Sequence, residues 1–316
     1  MAAALTLAPF PSHLPHINAP RPGVLNRDWY CESRERINDY LRDYLTRLNL
    51  APALRDAMGY ALLAPCKRLR AVVAIESCRL VGGDGDAAFP AAAAVEMVHC
   101  FSLIHDDLPC MDDSDLRRGR PSLHRHTSEA LAVLAGDALF NGAFDVLTNN
   151  DKCPGVLLSL CRELVGANSL LANGQALDIS LPSTQDSAQP ERVVDIHNRK
   201  TGGLFRAAAR MGAICGRAAK EELEALTHFG DRFGLLYQVV DDILDVTASA
   251  MAIGKPVGRD AALGRTSFPG VYGIDGSRRA AATLHTEARA ALARFGSHGD
   301  RLKWLADTIT TLAADH

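Results

Sequence analysis

No pair among the eight cysteines has the C-x-x-C spacing of a zinc site, and a chain of 316 residues needs no disulfide staples. Reduced, mostly buried thiols are expected, and with them a reducing compartment such as the cytoplasm. Long basic runs are missing too. With a net charge of −3 and scattered arginines, the chain gives no sign of a nucleic-acid partner. No apolar stretch reads as approaching the roughly 20 residues that span a bilayer, so membrane insertion is not expected. The first 27 residues contain no acidic side chain and carry Pro9, Pro11, Pro15, Pro20 and Pro22. They also lack the charged start of a secretory signal. They read as a flexible arm over residues 1–27, with an organellar address as the alternative, ahead of one folded unit over residues 28–316.

Strand alternation is the other absence. What is there instead is helical periodicity, in a chain with an ordinary globular balance of 47% hydrophobic and 22% charged residues. Between Asp28 and Leu50, the residues Ile37, Leu41, Tyr44, Leu45 and Leu48 recur at three- and four-residue spacings. Further helices are predicted over Met58 to Leu80, Ala91 to Asp107, Ser128 to Leu147, Gly155 to Ala172, Glu191 to Ile214, Lys220 to Val246 and Ser277 to Phe295. Pro90 suits a first turn, and Val81-Gly82-Gly83-Asp84-Gly85 reads as a stop. The expectation is a single all-α domain of about ten helices.

The chemistry sits in two acidic clusters. Asp106, Asp107, Asp112, Asp113 and Asp115 follow an apolar helical run and lead into Arg117, Arg118 and Arg120. Carboxylates this dense repel one another unless a cation sits among them. Magnesium, usually bound by one or two carboxylates together with substrate phosphates, is the candidate. Asp241, Asp242 and Asp245 form the second cluster, on a helix whose neighbouring positions are apolar. Asp241 and Asp245 share a face with Gln238. Asp106 and Asp112 are six apart and would diverge on a straight helix. Pro109 cannot continue the helix, so a break near Leu108-Pro109 is expected to return Asp112 toward Asp106. Cations recur beside these motifs: Lys67 and Arg70, read as one helical turn apart, Arg117 and Arg118, Lys200 and Lys255. Two phosphate groups would be held, one through metal and one directly by Lys, Arg and His.

These residues resemble the trans-type polyprenyl diphosphate synthases, over roughly Tyr60 to Pro269. The resemblance is carried by K-R-L-R (67–70), H-x5-H-D-D-L-P-C-M-D-D-S-D-L-R-R-G-R-P (99–121), G-D-A-L (136–139), G-Q-A-L-D (174–178), K-T-G (200–202), Q-V-V-D-D-I-L-D (238–245) and G-K (254–255). The chain departs from the family at Pro65-Cys66, where a glycine pair is usual, and at Ala71, where proline is common. The resemblance implies an all-helical homodimer surrounding a deep apolar cavity, with the two aspartate motifs facing each other across its mouth around three Mg2+ ions. It makes Asp106, Asp112 and Asp241 the principal metal ligands, supported by Asp107 and Asp245, with Asp242 in the same catalytic cluster. Arg117, Lys200 and Lys255 would bind an allylic diphosphate, and Lys67, Arg70, His99 and Arg118 isopentenyl diphosphate. Thr201 and Gln238 would help stabilise an allylic cation.

Product length follows from helix geometry. Ser102 and Phe101 lie about 6 to 8 Å below Asp106 at 1.5 Å per residue, where a phenyl ring would floor the cavity. The expected product is farnesyl diphosphate, made from dimethylallyl or geranyl diphosphate, with geranylgeranyl diphosphate second. A terpene cyclase would have no reason to keep a Lys-x-x-Arg site for a second diphosphate. A non-catalytic regulatory subunit of a heteromeric synthase is expected to lose an aspartate motif, and both are intact.

Overall fold

Runs rich in alanine and leucine, separated by glycine and proline, fold into helices throughout the described residues. The computed structural model describes residues 25–149, 152–180, 190–247 and 267–314. Leu25 is buried, and the Arg27 carbonyl takes the first bonds of α1 (Asp28–Arg47), whose stripe of Ile37, Leu41, Tyr44 and Leu45 faces the core. Prolines open the next helices: α2 (Pro52–Leu62) begins with one, and α4 (Phe89–Asp106) carries Pro90 in its first turn. Between them lies α3 (Leu69–Leu80). A two-stranded hairpin, β1 (Leu116–Arg117) and β2 (Arg120–Pro121), precedes the short α5 (Leu123–His126). There follow α6 (Glu129–Thr148), α7 (Pro154–Ile179), α8 (Pro190–His197), a π-helical turn (Asn198–Gly202), α9 (Gly203–Cys215), α10 (Lys220–Thr247), α11 (Phe268–Ala291) and α12 (Asp300–Ala314).

α9 is the axis of the bundle. It packs on α3, α4, α7 and α10, and its Leu204, Phe205, Ala208 and Met211 are almost wholly buried. α6 lies along α4, and α11 and α12 close against α10. The all-helical expectation holds, with corrections. The stretch read as one helix from Met58 to Leu80 is two, because the chain turns at Pro65 and Arg68 takes a left-handed conformation (φ 52°) before α3 begins. Lys67 therefore stands ahead of α3 and does not share a helix with Arg70. The predicted helix Glu191 to Ile214 contains the π-turn, and α12 was not foreseen.

Two further expectations are overturned. Only Cys78 and Cys100 are buried, while Cys110 and Cys153 are exposed and the remainder lie between. Among the described residues, three helical stretches are long and apolar enough to cross a membrane: Gly85–Asp106, Glu129–Thr148 and Pro154–Ile179. Interspersed Gly, Ser and Asn break up any pure apolar run, yet mean hydropathy stays high. The first stretch is 72% buried within the protein, the third only 17%. The apolarity of α4 thus serves the core, whereas α6 and α7 leave Val133, Leu134, Leu158 and Val165 exposed.

Candidate active site

α4 ends at Asp106, slightly before the proline that enforces the break. Pro109 has no N–H to continue the ladder. Instead, the Asp112 N–H donates to the Asp106 carbonyl at 2.9 Å, the Asp113 N–H to Leu108 at 3.1 Å, and the Ser114 N–H to Asp107 at 3.1 Å. The turn that brings Asp112 back to Asp106 is thus made of backbone bonds, with Asp113 held at φ 45°. Arg117 and Arg120 then pair across the hairpin, leaving Arg118 (φ 55°) and Gly119 (φ 71°) as its two-residue loop. Two positive φ values in succession are what a tight primed turn demands. A non-glycine residue there costs on the order of 1 kcal/mol or more, and such strain collects at functional sites. Here it aims Arg118.

Arg117 forks onto Asp107, its Nε donating to Oδ2 at 3.0 Å and Oδ1 at 3.2 Å. Burial alone would lower the Arg117 pKa. The bond to Asp107, with Asp106 and Asp112 nearby, more than reverses this and raises it. Asp107, 2% exposed, therefore holds Arg117 in place. Asp106 and Asp112 are both half-buried beside it. Below them on α4, the Phe101 ring meets Phe140 of α6 at 5.2 Å and His105 at 5.4 Å between centroids. Ser102 is buried, its hydroxyl donating to the His99 carbonyl at 2.9 Å.

A cleft with about 600 Å³ of empty space opens between α3, α4, the hairpin loop and α10, lined by Lys67, Arg70, His99, Arg118 and Tyr237. Arg68 braces its wall. It is buried, donating to Glu96 at 3.1 Å and Asn38 at 2.9 Å, and Glu96 in turn accepts the Ala71 N–H. Arg70 lies over the Phe205 ring at 4.4 Å, and its buried Nε has no partner. Among the described residues, the side chains of Lys67, Arg70 and Arg118 make no hydrogen bond or ion pair with the protein. Burial, then the charges of Arg70, Arg118, Arg117 and Arg68, push His99 well below the usual histidine pKa, so it is neutral near pH 7. Unmatched guanidiniums around a neutral imidazole make a site for an anion.

The second cluster is built by α10 and the π-turn. Two glycines permit the approach: a Cβ on Gly234 of α10 would lie 2.7 Å from the Gly202 Cα, and one on Gly174 of α7, in the G-Q-A-L-D motif, 2.5 Å from the Lys200 amide nitrogen. Four residues on, Asp178 accepts from Lys200 Nζ at 2.6 Å. Thr201 Oγ1 donates to Gln238 Oε1 at 2.8 Å, and Gln238 Nε2 donates to Asp242 Oδ1 at 2.8 Å. The other Asp242 oxygen takes His197 Nε2 at 2.8 Å and the Phe268 N–H at 2.9 Å. Asp242 and Asp245 are buried, and Asp241 is half-buried. Lys255 lies outside the described residues.

Sequence reasoning did not assign Asp178, His197 or Tyr237. The fixed spacing of G-Q-A-L-D was a signal for Asp178. Nothing in the pattern marked Tyr237, which α10 brings to the cleft one residue before Gln238. Among the described residues, no three His, Cys, Asp or Glu side chains gather closely enough to hold an ion by themselves. Magnesium does not need such a cage, since it takes one or two carboxylates and completes its shell with water and phosphate oxygens. Hard oxygen donors such as Asp106, Asp112 and Asp241 fit it in kind.

A family model described as polyprenyl synthetase matches residues 51–295. Over 251 residues, 77% of this chain and 70% of the relative, the sequence is 45% identical to geranylgeranyl pyrophosphate synthase 11, chloroplastic, of Arabidopsis thaliana. It is also 45% identical over 252 residues to the heterodimeric geranylgeranyl pyrophosphate synthase large subunit 1, chloroplastic, of the same plant, covering 77% and 68% of the two chains. An FPP/GFPP synthase from Zymomonas mobilis in its apo form superposes with TM-score 0.79 at 32% identity, covering 89% of this chain and 97% of the other. A geranyltransferase from Legionella pneumophila gives TM-score 0.80 at 31% identity, with 90% and 96% covered.

Proposed function

This chain belongs to the polyprenyl synthetase family and is a prenyltransferase, and we propose that it condenses isopentenyl diphosphate with dimethylallyl or geranyl diphosphate to give farnesyl diphosphate. The observation that carries the reading is the division of charge. In one cleft Lys67, Arg70 and Arg118 stand around His99 and, among the described residues, make no ion pair. The two aspartate motifs stand apart from it, at the end of α4 and on α10. The first group holds isopentenyl diphosphate directly. Asp106, Asp112 and Asp241, with Asp245 in support, would hold the three Mg2+ ions, which would supply Lewis-acid assistance to the leaving diphosphate.

The protein's own groups do the rest. Arg117, set by Asp107, and Lys200, set by Asp178, are aimed at the allylic diphosphate, with Lys255 as a third cation. The C1–O bond of the allylic substrate breaks, C4 of isopentenyl diphosphate bonds to C1, and a proton leaves C2 for the released diphosphate. Thr201 and Gln238 face the cationic carbon. No nucleophilic side chain is required.

Phe101 supports the fifteen-carbon product. Its ring packs against Phe140 and His105, and in this reading it walls the substrate cavity below Asp106. Phe101→Ala should shift the product toward twenty carbons or more, read by chromatography of dephosphorylated products. An unchanged distribution would remove the gate. Geranylgeranyl diphosphate is the second reading, favoured by the names of the Arabidopsis relatives. Product analysis with each allylic primer decides between them.

Val133 and Leu134 on α6 and Leu158 and Val165 on α7 are exposed apolar side chains that support a homodimer, a second copy covering both helices. Light scattering should give twice the single-chain mass, and a monomer at micromolar concentration would refute the pairing. All eight cysteines are unbridged, which supports a reducing compartment such as the cytoplasm. Residues 1–24, where an organellar address would sit, lie outside the described residues.

A further inference from the structure

We propose that His197 is a positioning residue: it holds in place the Asp242 carboxylate, which sets the direction of the hydrogen bonds through Gln238 to Thr201 and so leaves the Thr201 hydroxyl oxygen turned toward the reacting carbon. The inference rests on the reading that Thr201 and Gln238 face the allylic substrate. It begins from a rule of hydrogen bonding: an ionised carboxylate only accepts. Asp242 is 2% exposed and receives three donors, His197 Nε2, Gln238 Nε2 and the Phe268 N–H. His197 must therefore carry its proton on Nε2.

The same carboxylate sets the Gln238 amide, with nitrogen toward Asp242 and oxygen toward Thr201. Gln238 Oε1 can only accept, so the Thr201 hydroxyl must donate its single proton there, at 2.8 Å. What Thr201 has left are lone pairs. A lone-pair oxygen stabilises a developing carbocation, whereas a hydroxyl hydrogen pointed the same way would repel it. The chain of bonds is thus directional, and its polarity comes from the buried charge of Asp242.

His197 is the group that keeps Asp242 in register. The residue is 7% exposed, its ring is stacked on Phe268 at 5.6 Å, and it ends α8 immediately before the π-turn that carries Lys200 and Thr201. A π-turn inside a helix is itself a frequent mark of a functional site. Asp242 thereby joins three segments, α8 with its π-turn, α10 and the start of α11, and three donors satisfy a carboxylate that burial would otherwise penalise. Its position inside the aspartate motif does not make it a metal ligand.

The test compares His197→Leu, which removes the donor, with His197→Gln, which returns an N–H near the Nε2 position. His197→Leu should lower kcat by roughly 10- to 100-fold, the loss of one or two charge-assisted hydrogen bonds, while both substrate KM values stay within about twofold. His197→Gln should recover kcat to within about threefold of wild type. Equal loss in the Leu and Gln variants at equal thermal midpoint, or a rise in KM that accounts for the deficit, would reduce His197 to a packing residue. Asp242→Asn keeps the shape but offers an amide where a donor arrives. It should show the same kcat loss, and wild-type kcat in that variant would overturn the relay even if His197→Leu does not fold. Wild-type turnover in the same assay tests the underlying reading separately.

Discussion

Replacing Asp241 by Asn should cut kcat by roughly a thousandfold or more while circular dichroism and the thermal midpoint stay near wild type. The substitution keeps volume and removes one negative charge from a half-buried position on α10. Metal ions contribute several kcal/mol to charge stabilisation at a leaving oxygen, and each ~1.4 kcal/mol is tenfold in rate. Asp106→Asn should behave alike. A loss below tenfold at saturating magnesium would mean that these carboxylates do not hold the ion that assists departure. Asp107→Asn makes a useful contrast, because Asp107 acts on Arg117. Its deficit should appear first as a raised KM for the allylic substrate.

Gly212→Ala should be the most destabilising single methyl addition in the core. A Cβ at Gly212 would stand 2.0 Å from the Ala74 carbonyl oxygen and 2.8 Å from its carbon, both backbone atoms of α3. No rotamer relieves such a contact, so α3 and α9 must separate. Overpacking of this kind costs about 3 kcal/mol or more. For a chain of this size the thermal midpoint should fall by roughly 5 °C or more. The cleft should suffer too, since Arg70 near the start of α3 rests on Phe205 of α9. Gly155→Ala is the control: nothing lies within 4 Å of its Cβ position, and little change is expected. A midpoint for Gly212→Ala within 2 °C of that control would show that the contact yields freely.

Much of the site was legible because it is written in local spacing. A return of Asp112 toward Asp106 could be inferred from sequence, since Pro109 cannot continue the helix, and the Asp112 N–H bond to the Asp106 carbonyl closes that turn. Long-range pairing was less accessible. Sequence could not say that Asp107 would be engaged by Arg117, or Asp242 by His197, because each pair is made by a tertiary meeting of two elements. Spacing could set Asp241 and Asp245 on one face of α10, but only burial and donors show that Asp107 and Asp242 are taken up by protein partners. Met58 to Leu80 was misread because apolar residues on both sides of Pro65 keep a helical period across the turn. The apolar character of α6 and α7 was underread for a different reason, since small and polar residues interrupt the runs without lowering their mean hydropathy.

The claim on which the account depends is that the two aspartate motifs act on one magnesium-bound diphosphate. A double-mutant cycle tests it: magnesium-dependent binding of an unreactive allylic thiolodiphosphate, measured by calorimetry for wild type, Asp106→Asn, Asp241→Asn and the double variant. If both motifs hold the same ions, the second substitution should cost far less than the first, with a coupling of about 1 kcal/mol or more. Additive losses, as from two independent sites, would contradict the account.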